Sequence, residues 1–283
     1  MDDGYFNILF VQLKLVLDYD ENKEFLVAND DYFKQMDSVI RMIDENSYDV
    51  ILFPELAYHD KYDEYFKSIS KDKIIVFGSV YVNNFNYTVV YNNNEKILVK
   101  KMFCSPVEPA VRYLNSVGVK EFLKEYLNDH TFKLKKKKFI VLNCAEYYKV
   151  AYYIARDRKL SKNLFGFLVP CANNNVNVFF EESVALHNHN EDVYSFVVNS
   201  VSTYKGEKYS VGNSYILGKI SPFERCCLNS DYRTKQVNNI IYLDDDSYVV
   251  DGSYLCSDVG KYYRSDNFKH TPKKIKIIKM EGK

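Results

Sequence analysis

The sequence predicts an α/β protein built on a mixed sheet, and three observations predict it. Short apolar runs suited to buried strands recur along the chain, and in its first half they alternate with segments whose apolar residues fall at helical spacing. Hairpin patterns are interspersed, which favours a mixed sheet over a purely parallel one. Three of the runs also end on reactive side chains. Residues 50–53 lead into Pro54-Glu55, residues 97–99 into Lys100-Lys101, and residues 139–143 into Cys144-Ala145-Glu146. Strands that stop at a carboxylate, an ammonium and a thiol can place a base, an oxyanion stabiliser and a nucleophile at one sheet edge.

The elements follow in order. Residues 6–13 read as an opening strand. Phe33, Met36, Ile40 and Ile43 give residues 31–45 helical spacing. Residues 49–53 form the second strand, and Pro54, which has no N–H to donate, is expected to end its pairing. A short helix over 63–68 leads to a third strand over 73–79. Residues 87–91 and 96–99 flank the turn Asn92-Asn93-Asn94 and read as a hairpin. A helix is expected over 119–127 and a basic run over 135–138, ahead of the strand that ends at Cys144. A helix over 147–157, a strand over 165–170, a helix over 181–191 and a strand over 193–198 follow. Residues 212–217 and 239–243 close the pattern, and the tail from Arg264 is basic.

The 283 residues are 47% hydrophobic, enough for a sizeable core, and nothing rich in Pro, Gly or Ser divides them. A single domain over residues 1–263 with a C-terminal tail over 264–283 is the reading. The 38 basic and 38 acidic residues balance, so no global charge points to nucleic acid or an acidic membrane surface. The N-terminus lacks a signal-peptide pattern, and no apolar stretch approaches the roughly 18 residues of a membrane span. The six Cys show neither zinc spacing nor the density of a disulfide scaffold. The expectation is a cytoplasmic protein with no metal and no cofactor.

Taken singly, the reactive residues have ordinary explanations. A free Cys usually packs in a core, a strand-end Glu is usually solvated, and a Lys pair near a turn usually belongs to a solvated face. Cys144, however, sits between a strand and a helix. A helix N-terminus stabilises a thiolate and points backbone amides at a developing oxyanion. Glu108 lies between two prolines, Pro106 and Pro109.

The ordered set resembles the nitrilase, or carbon–nitrogen hydrolase, superfamily. Phe10-Val11-Gln12-Leu13 is similar to the family's first strand, and Phe53-Pro54-Glu55 resembles its base motif. Phe77-Gly78-Ser79 resembles the Gly-Ser strand that follows. Lys101 with Glu108 resembles the family's lysine and second glutamate, and Cys144-Ala145-Glu146 its Cys-x-Asp/Glu nucleophile motif. Val169-Pro170 is similar to the next strand end, and Gly212-Asn213-Ser214 to a closing hairpin. The resemblance covers roughly residues 5–250. The stretch from Glu55 to Lys101 is short for the family, and Ala145 stands where a larger residue is common.

This resemblance implies a four-layer αββα sandwich and hydrolysis of a small amide through a Cys144 thioester. Glu55 would be the base, Lys101 the oxyanion stabiliser, and Glu108 the group that orients Lys101 or the water. Ala145, Glu146 and Pro170 would border the substrate. It also implies a homodimer or higher homo-oligomer, with the tail at the interface. A nitrile- or N-carbamoyl-hydrolysing enzyme and a catalytically degenerate binding module are the alternatives. A Cys–His hydrolase would instead pair Cys144 with His187 or His189, but residues two apart point away from each other on a helix.

Overall fold

The computed structural model describes residues 5–22, 25–83, 85–103, 119–187, 193–218, 240–243, 248–255 and 274–280. Its first half comprises β1 (Tyr5–Gln12), β2 (Lys14–Asp20), β3 (Phe25–Ala28), α1 (Phe33–Glu45), β4 (Val50–Glu55), α2 (Asp63–Ile69), β5 (Ile74–Val82), β6 (Phe85–Asn92) and β7 (Glu95–Lys100). Next come α3 (Val119–His130), β8 (Thr131–Leu134), β9 (Lys137–Val141), α4 (Ala145–Arg156), β10 (Leu164–Cys171), α5 (Asn177–His187) and β11 (Tyr194–Asn199). The chain closes with β12 (Val201–Tyr204), β13 (Glu207–Val211), β14 (Tyr215–Leu217), β15 (Ile240–Tyr242), β16 (Tyr248–Leu255) and β17 (Lys274–Lys279).

Among the described residues the strands form three mixed sheets. A seven-stranded sheet runs β17-β16-β1-β4-β5-β6-β7, and a six-stranded sheet runs β15-β14-β11-β10-β9-β8. Each has a parallel centre, β1–β4–β5 in one and β9–β10–β11 in the other, flanked by antiparallel strands. A four-stranded sheet, β13-β12-β2-β3, joins the ends of β1 and β11, because β2 and β12 continue them after one residue.

Strand alternation builds the layers. On β4, Ile51 and Phe53 pack with Met36, Val39 and Ile43 of α1 and Phe66 of α2, while Val50 and Leu52 face the other way. There they meet Phe139, Val141, Phe165, Leu168 and Phe196 of the six-stranded sheet. The opposite face of that sheet, with Ile140, Phe167, Val169 and Val197, is covered by α3, α4 and α5 through Leu123, Ala151, Ile154 and Phe179. The order is helix, sheet, sheet, helix, an αββα sandwich as the resemblance implies. Both parallel centres are buried on both faces, and each side chain removed from water there contributes about 1.5–3 kcal/mol.

Most predicted elements are present, and the differences have local causes. Pro54 does not end its strand. The register with β5 shifts between Leu52 and Glu55, and pairing resumes at Glu55 opposite Gly78, so an irregularity absorbs the missing donor. The Asn-rich turn is a two-residue hairpin loop with Asn93 and Asn94 at φ 52° and 62°, the left-handed pair such a loop needs. The basic run makes a second such turn, with Lys135 and Lys136 also at positive φ. The helix after the thiol begins at Ala145 rather than at 147, and α5 begins at Asn177 rather than at 181. The part of the tail that is described, β17, pairs antiparallel with β16 of the same chain.

Candidate active site

The ends of β4, β5, β9 and β10 meet at one edge of the sandwich. Phe53 and Phe77 stack at 4.1 Å on the helix-facing side and fix the ends of β4 and β5 together. Glu55 is therefore delivered to a fixed point, where it is buried with 6% exposure. Its Oε1 accepts a hydrogen bond from Ser79 Oγ at 2.5 Å and one from Lys101 Nζ at 3.2 Å. Its Oε2 accepts from the Ala172 N–H at 2.9 Å. Three segments thus hold one carboxylate in a single orientation.

Gly78 makes room for it. A Cβ there would lie 2.7 Å from Pro170 Cβ and 2.8 Å from Glu55 Cα, so only glycine lets the two sheets approach at this point. Ser79, at φ 53°, turns its hydroxyl to the carboxylate and accepts in turn from Asn86 Nδ2 at 3.1 Å and Asn143 Nδ2 at 3.4 Å.

Lys101 lies just beyond β7, and its N–H donates to the Asn86 carbonyl at 2.8 Å. The ammonium and the Glu55 carboxylate are both buried, with side-chain exposures of 1% and 7%. A buried charge needs a partner of opposite sign, and each supplies one to the other.

Cys144 caps α4 with φ 49° and ψ −111°, a conformation L-residues rarely adopt. Its N–H donates to the Pro170 carbonyl at 2.9 Å, which docks the elbow on the end of β10. The Ala145 N–H occupies the first helical position, where an α-helix offers no internal acceptor. Leu56, Ser79 and Cys144, each adjoining a strand end at this edge or lying close to one, all have positive φ. Such strain clusters at functional sites.

Glu146 binds the two halves of the site together from below. Its Oε1 accepts from the Met102 N–H at 2.7 Å and its Oε2 from the Asn143 N–H at 2.9 Å, next to Lys101 and Cys144 respectively. His130 stacks on Tyr126, and its Nδ1 meets the Tyr126 carbonyl at 2.7 Å. Because a carbonyl only accepts, that nitrogen carries the proton, and Nε2 faces Glu146 at 3.9 Å. Burial, with the Glu146 charge added, holds the Tyr126 hydroxyl well above its ordinary pKa.

Glu55, Lys101, Cys144, Ala145, Glu146 and Pro170 therefore converge on one edge. Glu108 and His189 lie outside the described residues, as does the side chain of His187. Sequence reasoning missed Cys171, the residue after Pro170. Its thiol is pushed well above the ordinary range, first by burial, then by a hydrogen bond and charge from Cys144 and the charge of Glu55, with Lys101 opposing. It also passed over the Ala172 N–H. Their signal was their place at the end of a buried strand, but only the register of β9 against β10 sets them beside Cys144. Among the described residues no group of three or more His, Cys, Asp or Glu is placed to hold a metal ion. No helix among them is long and apolar enough to cross a membrane.

No protein-family model and no curated protein matches the sequence. Solved structures do match. XC1258 from Xanthomonas campestris, a CN-hydrolase superfamily protein with an arsenic adduct in its active site, aligns with a TM-score of 0.54 at 9% identity. That alignment covers 87% of this chain and 89% of that one. An N-terminal amidase with an Asn-Glu-Ala peptide aligns with a TM-score of 0.50 at 9% identity, over 88% of this chain and 98% of its own. At such identity the likeness lies in the path of the backbone, and by that path the chain has the nitrilase-type fold of the carbon–nitrogen hydrolase superfamily.

Proposed function

We propose that this protein is a carbon–nitrogen hydrolase of amidase type, with Cys144 as nucleophile, Glu55 as general base and Lys101 as oxyanion stabiliser. The observation that carries the reading is the buried Glu55–Lys101 pair at 3.2 Å, set at the same strand-end edge as a Cys144 elbow with positive φ.

Glu55 takes the Cys144 proton, and the thiolate attacks the amide carbonyl carbon. The Lys101 ammonium and the Ala145 N–H receive the negative charge on the carbonyl oxygen. Protonated Glu55 then gives its proton to the leaving amine, leaving a thioester. Water, deprotonated by Glu55, attacks the thioester, and the proton returns to the departing thiolate. Ser79 and the Ala172 N–H hold the carboxylate in orientation throughout, without taking up the proton. Glu108 is included, on the family resemblance, as the group that orients Lys101 or the water. Pro170 and Ala145 border the substrate, whereas Glu146, whose oxygens accept backbone N–H groups, acts through position.

The N-terminal amidase among the structural neighbours supports an amide over a nitrile as the substrate class. A screen for ammonia release across small amides, ω-amides, N-carbamoyl compounds and nitriles tests the reading. The expected result is turnover of an amide that Cys144→Ala abolishes. Full activity in Cys144→Ala, or activity that survives Glu55→Gln but not His187→Ala, overturns it. A homodimer or higher homo-oligomer is part of the same proposal, measured by size exclusion with light scattering.

A further inference from the structure

Cys171 has no role in the mechanism above, yet it ends β10 directly across from the nucleophile. The parallel register pairs Val141 with Leu168. The Leu142 N–H bond to the Leu168 carbonyl at 3.0 Å and the Cys144 N–H bond to the Pro170 carbonyl at 2.9 Å carry that register forward, which sets Cys144 opposite Cys171. Neighbouring strands lie about 4.8 Å apart, inside the window of about 4.4–6.8 Å between Cα atoms that a disulfide spans. Both cysteines are free and buried, and Cys144 is among the groups that act directly on the Cys171 thiol.

We propose that Cys144 and Cys171 form a reversible disulfide on exposure to hydrogen peroxide, which closes the site and protects Cys144 from irreversible oxidation. The proposal rests on the reading of Cys144 as a nucleophile that small molecules reach. In the first step the Cys144 thiolate attacks a peroxide oxygen. An S–O bond forms, the O–O bond breaks, and hydroxide leaves and is protonated to water. Cys144 is now a sulfenic acid. In the second step Cys171 gives up its proton to the neighbouring Glu55 carboxylate and its sulfur attacks the Cys144 sulfur. The S–S bond forms, the S–O bond breaks, and hydroxide departs with that proton as water. Two electrons pass from the thiol pair to the peroxide, and an external dithiol reverses the change.

The division of labour between the thiols follows from their surroundings. Cys144 stands at the N-terminus of α4 and is the thiol that the mechanism uses as nucleophile. Cys171 is fully buried, and burial, then Cys144 and the Glu55 charge, hold its thiol well above the ordinary range, with Lys101 opposing. Oxidation of Cys144 to a sulfenic acid turns its sulfur into the electrophile that Cys171 attacks. Cys171 therefore reacts only after its partner has been oxidised.

Peptide mapping under non-reducing conditions tests the proposal on the wild-type protein, Cys144→Ser and Cys171→Ser, each treated with hydrogen peroxide. The wild type is expected to lose two hydrogens, yield one peptide pair cross-linked through Cys144 and Cys171, and return to the dithiol with dithiothreitol. In Cys171→Ser, Cys144 is expected to advance to sulfinic acid about tenfold faster than in the wild type and to resist reduction. Phenylarsine oxide, which binds two neighbouring thiols at once, is expected to block the wild-type cross-link. A wild type whose Cys144 reaches sulfinic acid as fast as in Cys171→Ser, or links to another cysteine, overturns the proposal. Cross-linking in a protein that hydrolyses no amide would sink the hydrolase reading and leave the thiol pair standing. Amide turnover with no cross-link would do the reverse.

Discussion

Two carboxylate–ammonium pairs in this molecule do opposite things with the same chemistry. Asp63 and Lys96 meet at 2.6 Å, partly open to water, with side-chain exposures of 26% and 30%. Tyr91 and Tyr58 also donate to Asp63, at 2.5 and 3.0 Å, and Lys96 donates to Tyr58 at 2.6 Å. Glu55 and Lys101 are almost wholly buried, yet their contact is longer, at 3.2 Å. The exposed pair is closed on itself and ties α2 to the hairpin of β6 and β7. The buried pair is held by the scaffold rather than by its own attraction, since Ser79, the Ala172 N–H and the Asn86 carbonyl fix it from outside. A pair so held keeps its geometry when one member changes charge, as the base in the proposed mechanism would.

The largest expected effect follows from removing one member of the buried pair. Glu55→Gln and Lys101→Met should each lower kcat/KM by at least about a thousandfold, some 4 kcal/mol of transition-state stabilisation. Each should also destabilise the fold by about 3–5 kcal/mol, because it takes from a buried charge a partner of opposite sign. The double variant separates the two effects. With both charges gone, urea denaturation should recover most of the lost stability while turnover stays lost. A double variant no more stable than the worse single would show that the pair is not held as described.

Gly78→Ala tests the scaffold instead of the charges. The new Cβ would press on Pro170 and on the Glu55 backbone, neither of which can swing aside as a flexible side chain can. Overpacking of this kind costs about 1–3 kcal/mol. Because the strain falls on the strand ends that carry Glu55 and Cys171, kcat should fall tenfold to a hundredfold by about the same energy logic. Glu146→Gln comes next. It keeps the shape but turns one acceptor into a donor facing a backbone N–H. It should lower kcat more than it raises KM, and its pH–rate profile should shift, because it acts through Lys101 and Cys144. A change in KM alone would instead place Glu146 against the substrate.

These residues also show what the sequence made legible. Strand ends were readable because a run such as Val50-Ile51-Leu52-Phe53 can only be buried, and the residue after it must then emerge at an edge. Neighbourhood was not readable, because it depends on register. Nothing in Pro170-Cys171-Ala172 says that it lies beside Cys144 until β9 and β10 are paired. The four-stranded sheet was missed for a different reason. Leu15 and Leu17 alternate with exposed positions in β2 as a half-buried strand should, but the segment follows β1 after one residue and reads as its continuation. β16 takes its place through long-range pairing with β1, and β17 through pairing with β16.

The smallest expected effect belongs to the exposed pair, and its pH dependence has a definite sign. Burial alone would raise the Asp63 carboxyl, but hydrogen bonds from Lys96, Tyr91 and Tyr58 outweigh it and hold it below the ordinary value. A carboxyl with a lowered folded pKa stabilises the fold fully above its unfolded value of about 3.9, and that contribution is lost as pH falls through the folded value. Asp63→Asn removes the charge and keeps one oxygen acceptor. It should therefore cost roughly 1 kcal/mol at neutral pH, as partly exposed pairs with good hydrogen bonds do. The gap between Asp63→Asn and the wild type should narrow once pH falls below about 3.9 and close as it passes below the lowered folded value. Amide turnover should be unchanged throughout, since the pair lies on the helix-facing side of the seven-stranded sheet, away from Glu55. Thermal melts from pH 7 down to acid decide it. A gap that stays constant across that range would mean that the cluster stabilises by packing, and the contrast with the buried pair would then be one of burial alone.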